Sequence, residues 1–293
     1  MLSLNIVGAG RLGKVLGRLA QDSGRYRVAA VLCRERAHAL EAAAFIGAVQ
    51  AVDTLTDLPP ADLTLVAVPD GAIAAVAQAL AEAKVVRPGT VVFHASGACS
   101  SALLTPLAQQ GAQVASLHPA FSFAEPERAR QTFAGSLCAL EGEALACERL
   151  AQLVAAIGGE AFYLPGEGKA GYHAALSIAS NYLVTLVALA EGVAIQAGIE
   201  PAVARCLLGA LMRQSLDNAL ALGPEAALTG PIVRGDVATV ASHLAVLEPE
   251  QGDLYRALGQ ATVTLAGARL DAVQKQALRE ELGSGEWGVG SRE

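Results

Sequence analysis

The sequence predicts a doubly wound parallel α/β sheet followed by an all-helical second domain. Three observations carry this. An apolar run, Leu4–Gly8, ends in Gly8-Ala9-Gly10-Arg11-Leu12-Gly13 and passes at once into an amphipathic segment. Short apolar runs then alternate with helical periods as far as Pro165. Beyond Pro165 no strand-like run follows. The expected units are a sheet domain over 1–165, a helical domain over 166–282 and a Gly-rich, frayed tail over 283–293.

In chain order, Leu4–Gly8 reads as the first strand and Arg11–Ser23 as the first helix, with Gly24 suited to its C-terminal end. Tyr26–Leu32 is the second strand, Glu35–Phe45 a helix and Val49–Val52 a short strand. Asp62–Val68 is a nearly continuous apolar strand, as expected when both faces of a sheet are covered. Pro69-Asp70 breaks it, and Gly71–Ala83 is helical. Thr90–His94, Val114–His118, Leu137–Leu140 and Ala161–Leu164 read as strands, with a helix over Ala144–Ile157. Then come helices over Lys169–Ala197, Pro201–Leu222, Asp236–Leu247, Glu250–Ala266 and Asp271–Leu282, punctuated by Gly198, Gly223-Pro224 and Pro249.

The glycine loop has a physical reading. Gly8 lets the chain turn sharply out of a strand, Gly10 lets a pyrophosphate approach the backbone, and Gly13 lets the helix pack closely on the strand. The free N–H groups of the helix that opens here attract a phosphate. Arg11, in the same loop, can add a second cation, and Leu12 completes the loop. The strand that follows ends Leu32-Cys33-Arg34-Glu35. Arg34 stands where a 2′-phosphate would sit and no carboxylate precedes it, which favours NADP over NAD. The alternative leaves Arg34 solvated, with Glu35 accepting the ribose.

Composition narrows the function classes. The chain has 293 residues, 53% of them hydrophobic and 17% charged, enough for two domains with large cores. A net charge of −7 without a basic cluster argues against nucleic acid as a partner. The five cysteines are scattered and odd in number, which speaks against a disulfide framework or a zinc site and for a cytoplasmic protein without a leader. Ala170–Ala190 lacks Asp, Glu, Lys and Arg and is about as long as a membrane span. It contains Tyr172, His173, Ser177, Ser180 and Asn181 and has no basic flank, so it reads instead as a buried or dimer-forming helix. A homodimer is expected for that reason.

Candidate chemistry gathers at strand ends and in two helices. Val68-Pro69, His94-Ala95-Ser96-Gly97 and His118-Pro119 follow carboxyl ends of strands, the edge where ligands collect in doubly wound sheets. Val68, Pro69 and Ser96 are assigned to the cofactor, His94 and His118 to the substrate. In the helix opening at Gly166, Lys169, His173, Ser177 and Ser180 share an arc of about 80°, with Asn181 just beyond. Reducing a carbonyl or imine needs a proton donor opposite the hydride, and Lys169 or His173 can supply it. The competing explanation is that Lys169 is solvated and the stripe satisfies helix contacts. In Gly230-Pro231-Ile232-Val233-Arg234-Gly235-Asp236, Arg234 can bind a carboxylate and Asp236 can cap the next helix, where Asp236, Thr239 and His243 share a face of about 60°. Arg234, Asp236 and His243 are further substrate-binding candidates; the alternatives are a structural salt bridge for Arg234 and capping alone for Asp236.

Taken together, the glycine loop, Val68-Pro69, His94-Ala95-Ser96-Gly97, His118-Pro119, Lys169…His173…Asn181 and Gly230-Pro231…Arg234-Gly235-Asp236…Thr239…His243 resemble a family of NADP oxidoreductases across nearly the whole chain. That family pairs a Rossmann-like N-terminal domain with a helical C-terminal domain of unknown function. It is similar to pyrroline-5-carboxylate reductase, ketopantoate reductase and the β-hydroxyacid dehydrogenases. In the last group a Lys and an Asn one turn later serve catalysis. Lys169 matches that Lys, but His173 occupies the next turn and Asn181 lies two turns further on. The resemblance implies an NADP(H)-dependent reductase of a small oxo or imino acid with Lys169, His173 and Asn181 as catalytic candidates. Two alternatives stay open: a non-catalytic NADP(H) sensor, and an NAD-dependent dehydrogenase of the prephenate type suggested by His118-Pro119.

Overall fold

The computed structural model describes residues 1–48 and 50–283. Val49 and the expected tail from 284 onward lie outside the described residues.

The first compact unit, Met1–Asn181, is built on one eight-stranded sheet in the order β3-β2-β1-β4-β5-β6-β7-β8. The strands are β1 Leu2–Val7, β2 Tyr26–Leu32, β3 Gln50–Val52, β4 Leu63–Val66, β5 Val91–His94, β6 Gln113–Pro119, β7 Leu137–Gly142 and β8 Glu160–Tyr163. The helices between them are α1 Arg11–Asp22, α2 Arg36–Ile46, α3 Ile73–Ala83, α4 Thr105–Ala108, α5 Pro126–Thr132 and α6 Ala144–Ala156. Every residue of β4 and β5 is buried, which is why these strands read as unbroken apolar runs. One core joins Leu16, Ile46, Leu150 and Val154 of the helices to Ile6, Phe93 and Leu117 of the sheet. A second joins Ile73, Ala77 and Leu80 of α3 to Val7, Val66 and Val92.

The sheet is parallel except at β6 and β7, which run antiparallel with Leu117 opposite Leu140. The doubly wound parallel sheet read from the sequence is present, with this one reversed pair. The chain leaves β6 through the short α5 and no long crossover helix returns it to the opposite edge, so β7 enters reversed. The strand order changes direction between β1 and β4. The crevice beyond their carboxyl ends is therefore the place where a doubly wound sheet takes a ligand.

The expected helix Lys169–Ala197 is interrupted. It consists of α7 Lys169–Ser177, a π-helical turn over Ile178–Tyr182 and α8 Leu183–Gln196. A π turn widens the helix by one residue, and this one contains Ser180 and Asn181. The polar pattern changes character at Pro165, whereas the compact units divide after Asn181, so α7 belongs with the sheet.

The second unit, from Tyr182, is all helical over its described residues. It contains α8, α9 Pro201–Leu222, α10 Pro224–Ala227, α11 Val237–Leu244, α12 Pro249–Ala266 and α13 Ala272–Glu281. Pro201 takes the first helical position of α9 and Glu200 caps it. Its core is small: Ile232, Val240, Val263, Leu270, Leu278 and Leu282. By length and composition, Gly166–Gln196 is long and apolar enough to cross a membrane. Val184 of α8 and Val203, Leu207 and Leu211 of α9 are more than half exposed in the single chain.

Candidate active site at the carboxyl edge of the sheet

A pocket of about 580 Å³ opens where β1, β2 and β4 end. Gly8, with φ at +84°, makes the turn out of β1, and a Cβ there would meet Val68 Cγ1 at 2.7 Å. A Cβ on Gly13 would lie 2.7 Å from the Gly8 carbonyl oxygen, so the close helix–strand approach needs glycine. Gly10 has open space beside it instead, and as N-cap of α1 it offers no side chain to the first-turn N–H groups. Free N–H groups facing open space at a switch point suit a pyrophosphate. Val68 and Pro69 line the same pocket.

Arg34 is exposed and lines this pocket beside Cys33 and Glu35. Arg11 is exposed but is not among the lining side chains, and Leu12 packs against the core, so these two offer the loop their backbone. Two basic side chains escaped the sequence reading: Lys14 and His38. Lys14 pairs with Glu41 at 2.5 Å, and His38 stands 3.6 Å from Glu35. The available signal was a lysine in the first turn of a helix, where the dipole disfavours a cation.

The ends of β4 and β5 are tied together. The Ser96 hydroxyl donates to Asp70 Oδ2 at 2.8 Å and accepts from the Ala98 and Cys99 N–H groups. Ser96 is nearly buried, so its side chain serves this turn. His94 is fully buried. Its Nδ1 accepts from the Ser96 N–H at 3.2 Å, which leaves Nε2 to donate to the Ser100 carbonyl at 3.1 Å. Burial pushes its pKa down, so the ring stays neutral. Both nitrogens are used inside the protein. This corrects the assignment of His94 to substrate: it shapes the loop that carries Ser96 and Gly97.

Lys169 also points inward. It is 2% exposed, and its Nζ donates to the Ser96 carbonyl at 3.0 Å and to the Ser116 hydroxyl at 2.7 Å. Glu141 Oε2 lies 3.8 Å away. Glu141 in turn accepts from the Ser101 N–H and from the hydroxyls of Ser100, Ser101 and Ser116. Burial drives the Glu141 carboxyl up, but these donors outweigh it and hold it below the usual carboxylate value. Burial lowers Lys169 against the opposing pull of Glu141. The sequence reading missed Glu141. Its signal was a lone carboxylate in the apolar strand Leu137-Cys138-Ala139-Leu140-Glu141.

A second pocket, of about 280 Å³, lies where β6 ends against α7 and the π turn. His118, Ser122, His173, Ser177, Ser180 and Asn181 give it polar walls. Thus His118, His173 and Asn181 come together here, and Lys169 lies behind them. His118 and His173 meet with ring centroids 6.1 Å apart. Gly97 sits against both: a Cβ there would approach His118 Cε1 and Nε2 and His173 Cδ2 to 2.8 Å each. Tyr172, not singled out in the sequence, places its hydroxyl 2.9 Å from His118 Nδ1.

In the second unit, Asp236 caps α11, accepting from the Thr239 N–H at 3.0 Å and the Thr239 hydroxyl at 2.7 Å. Arg234 ends a 3₁₀ turn and is exposed. His243 Nδ1 lies 2.8 Å from the Tyr255 hydroxyl. Among the described residues no group of three or more His, Cys, Asp or Glu is placed to hold a metal ion.

Comparison with known proteins agrees with this architecture. A model of a Rossmann-like domain matches residues 1–119, and a model of a domain of unknown function (DUF2520) matches residues 136–262. No curated protein matches the sequence. The structure of a candidate NADP oxidoreductase from Bacteroides fragilis is similar, with a TM-score of 0.74 at 22% identity, covering 90% of this chain and 98% of that one. A protein of Thermotoga maritima is 28% identical, with a TM-score of 0.61 over 95% of this chain and 98% of its own. The NADP-bound pyrroline carboxylate reductase of Plasmodium falciparum shares the fold at 9% identity, with a TM-score of 0.59 over 96% and 97% of the two chains. The chain thus carries a Rossmann-like domain followed by the DUF2520 domain.

Proposed function

We propose that this protein is an NADP(H)-dependent oxidoreductase that reduces a small oxo or imino compound. The observation that carries the reading is a juxtaposition at one sheet edge. A glycine-loop pocket with open backbone N–H groups lies at the ends of β1 and β4, and a two-histidine pocket lies at the end of β6. The Asp70–Ser96 hydrogen bond and Gly97 link the turns between them. The fold neighbours named for NADP support the same cofactor.

The residues present fit that group: Gly8 makes the turn, Gly13 lets the helix close on it, Gly10 leaves room for a pyrophosphate, and Arg34, with Lys14 and His38 in the same pocket, would meet a 2′-phosphate. A bound reduced nicotinamide supplies hydride to the substrate carbon. The substrate oxygen or nitrogen then needs one proton, and His173 stands in the second pocket to give it. His118 lies beside it as a hydrogen-bonding partner for the same atom, and Asn181 is an orienting group. Lys169 holds the Ser96 carbonyl and Ser116 from behind, so its contribution is to position the Gly97 turn.

A metabolite screen following NADPH absorbance tests this, with the His173→Ala protein as control. Consumption of NADPH by the original protein and not by the control supports the reading. Equal consumption by both removes His173 from it.

The second unit adds an assembly. The exposed apolar side chains of α8 and α9 form a face with few charges, and no basic cluster flanks it for anionic lipid. A second copy of the chain is the proposed cover.

A further inference from the structure

His118 ends β6, and its two nitrogens face different surroundings. Nδ1 lies 2.9 Å from the Tyr172 hydroxyl, with the rings edge to face and their centroids 5.6 Å apart. Tyr172 is braced in turn: its ring meets Phe162 of β8 edge-on at 6.0 Å. The opposite edge of His118, Cε1 and Nε2, faces Gly97, which has no side chain to fill the space. His173, the next residue along α7, lies on that same side of Gly97. Consecutive helix residues therefore serve one imidazole, Tyr172 at Nδ1 and His173 near the other edge.

A neutral imidazole has one donor and one acceptor nitrogen, and the partner of the first fixes the role of the second. Burial pushes the Tyr172 phenol up to about 12, so it keeps its proton at neutral pH. A phenol is a stronger acid than a neutral imidazole N–H, so the hydrogen bond runs from Tyr172 Oη to His118 Nδ1. The ring proton is then left on Nε2. The groups around the ring favour neutrality: burial first, then the Lys169 ammonium and His173, outweigh the opposing Asp70 carboxylate and bring His118 down to about 4.

We propose that Tyr172 is a positioning residue that holds His118 as a neutral imidazole with its proton on Nε2, making His118 a hydrogen-bond donor to the substrate oxygen or nitrogen. The donor role rests on the reductase reading above; the tautomer does not. A neutral imidazole N–H polarises a carbonyl without giving its proton away. In the reduction, the hydride goes to carbon, His118 keeps its proton, and the proton that completes the alcohol or amine comes from His173, which regains it from solvent.

Nitrogen-15 spectra of the imidazoles in the full, ligand-free chain test the tautomer without any substrate. Between pH 5.5 and 8, His118 should show a protonated Nε2 and an acceptor Nδ1 and should not titrate. In Tyr172→Phe, which keeps the ring packing, the pattern should average toward a mixture of tautomers. A protonated Nδ1 in the original protein, a titration between pH 6 and 7, or an unchanged spectrum in Tyr172→Phe would overturn the proposal. Once a substrate is in hand, His118→Gln places an amide N–H near the Nε2 position. It should retain turnover within about tenfold, while His118→Ala loses on the order of 10²-fold. A Gln variant as impaired as the Ala variant removes the donor role. If no carbonyl or imino compound is ever reduced, the reductase reading fails while the spectra still decide the tautomer.

Discussion

Lys169 Nζ donates to the Ser116 hydroxyl at 2.7 Å, in the interior behind the two-histidine pocket. Glu141 Oε2 is its ion-pair partner at 3.8 Å. A buried charge left alone is costly, and removing one partner of a buried pair typically loses about 3–5 kcal/mol. Glu141→Gln should therefore lower the melting temperature sharply. Lys169→Met should cost less, because Glu141 keeps its four hydrogen-bond donors from Ser100, Ser101 and Ser116. Thermal unfolding of the two variants checks the order; the reverse order would mean that the ammonium, and not the carboxylate, organises the cluster.

The same carboxylate sets a pH dependence. Glu141 is held below its ordinary value of 4.5. A depressed carboxyl stabilises the fold fully above its unfolded value and loses that contribution as pH falls through the folded value. Unfolding free energy should fall steeply below about pH 4.5 in the original protein. In Glu141→Gln that part of the slope should be missing. Parallel curves for the two proteins would remove Glu141 as the source.

Gly97 has no room for a side chain beside the two histidines. Alanine there must push both His118 and His173 aside, since each lies 2.8 Å from the added carbon. Overpacking of this kind typically costs about 1–3 kcal/mol. The expected result for Gly97→Ala is a modest loss of stability, a large loss of turnover and an NADP affinity within a few-fold of the original. Unchanged turnover would place the chemistry elsewhere.

Much of this was legible in the sequence, and what was not has physical reasons. The glycine loop was readable because its constraint is local: Gly8, Gly10 and Gly13 act within one turn. The helix starts at Pro201 and Asp236 were readable for the same reason. Strand direction is not local, so the reversal of β7 against β6 was invisible in an apolar run that suits either direction. Helical periodicity put Lys169 and His173 one turn apart on α7. It could not show that a long, flexible lysine would turn inward to a carboxylate on β7, nor that a π turn would carry Asn181 into the pocket. His94 and His118 both stand at strand ends and look alike in sequence. Only the Ser96 N–H and Ser100 carbonyl around one, and Tyr172 beside the other, tell them apart.

The nucleotide preference gives a direct test. Arg34, Lys14 and His38 line the pocket, with Glu35 and Glu41 as the opposing charges. Calorimetry should show tighter binding of NADP than of NAD. Arg34→Asp should erase or reverse that difference, and Glu41→Gln, which frees Lys14, should strengthen NADP binding with little change for NAD. Equal affinities in the original protein would leave Arg34 as a solvated loop residue, with Glu35 free to accept the ribose.

The assembly prediction rests on the second unit. Val203, Leu207 and Leu211 repeat every four residues along α9, so they form one stripe, and all three are more than half exposed. Val184 on the adjacent α8 is 68% exposed. Side chains of this kind each gain about 1.5–3 kcal/mol when fully buried, and the unit's own small core does not cover them. A second copy meeting the same stripe would bury both at once, as a two-fold interface does. Light scattering at micromolar concentration should give about twice the 29.8 kDa chain mass. Leu207→Glu with Leu211→Glu should return it to the single-chain value, with the glycine-loop domain still binding NADP. A monomer from the outset would sink the dimer, and binding of that monomer to lipid vesicles would assign the stripe to a bilayer instead.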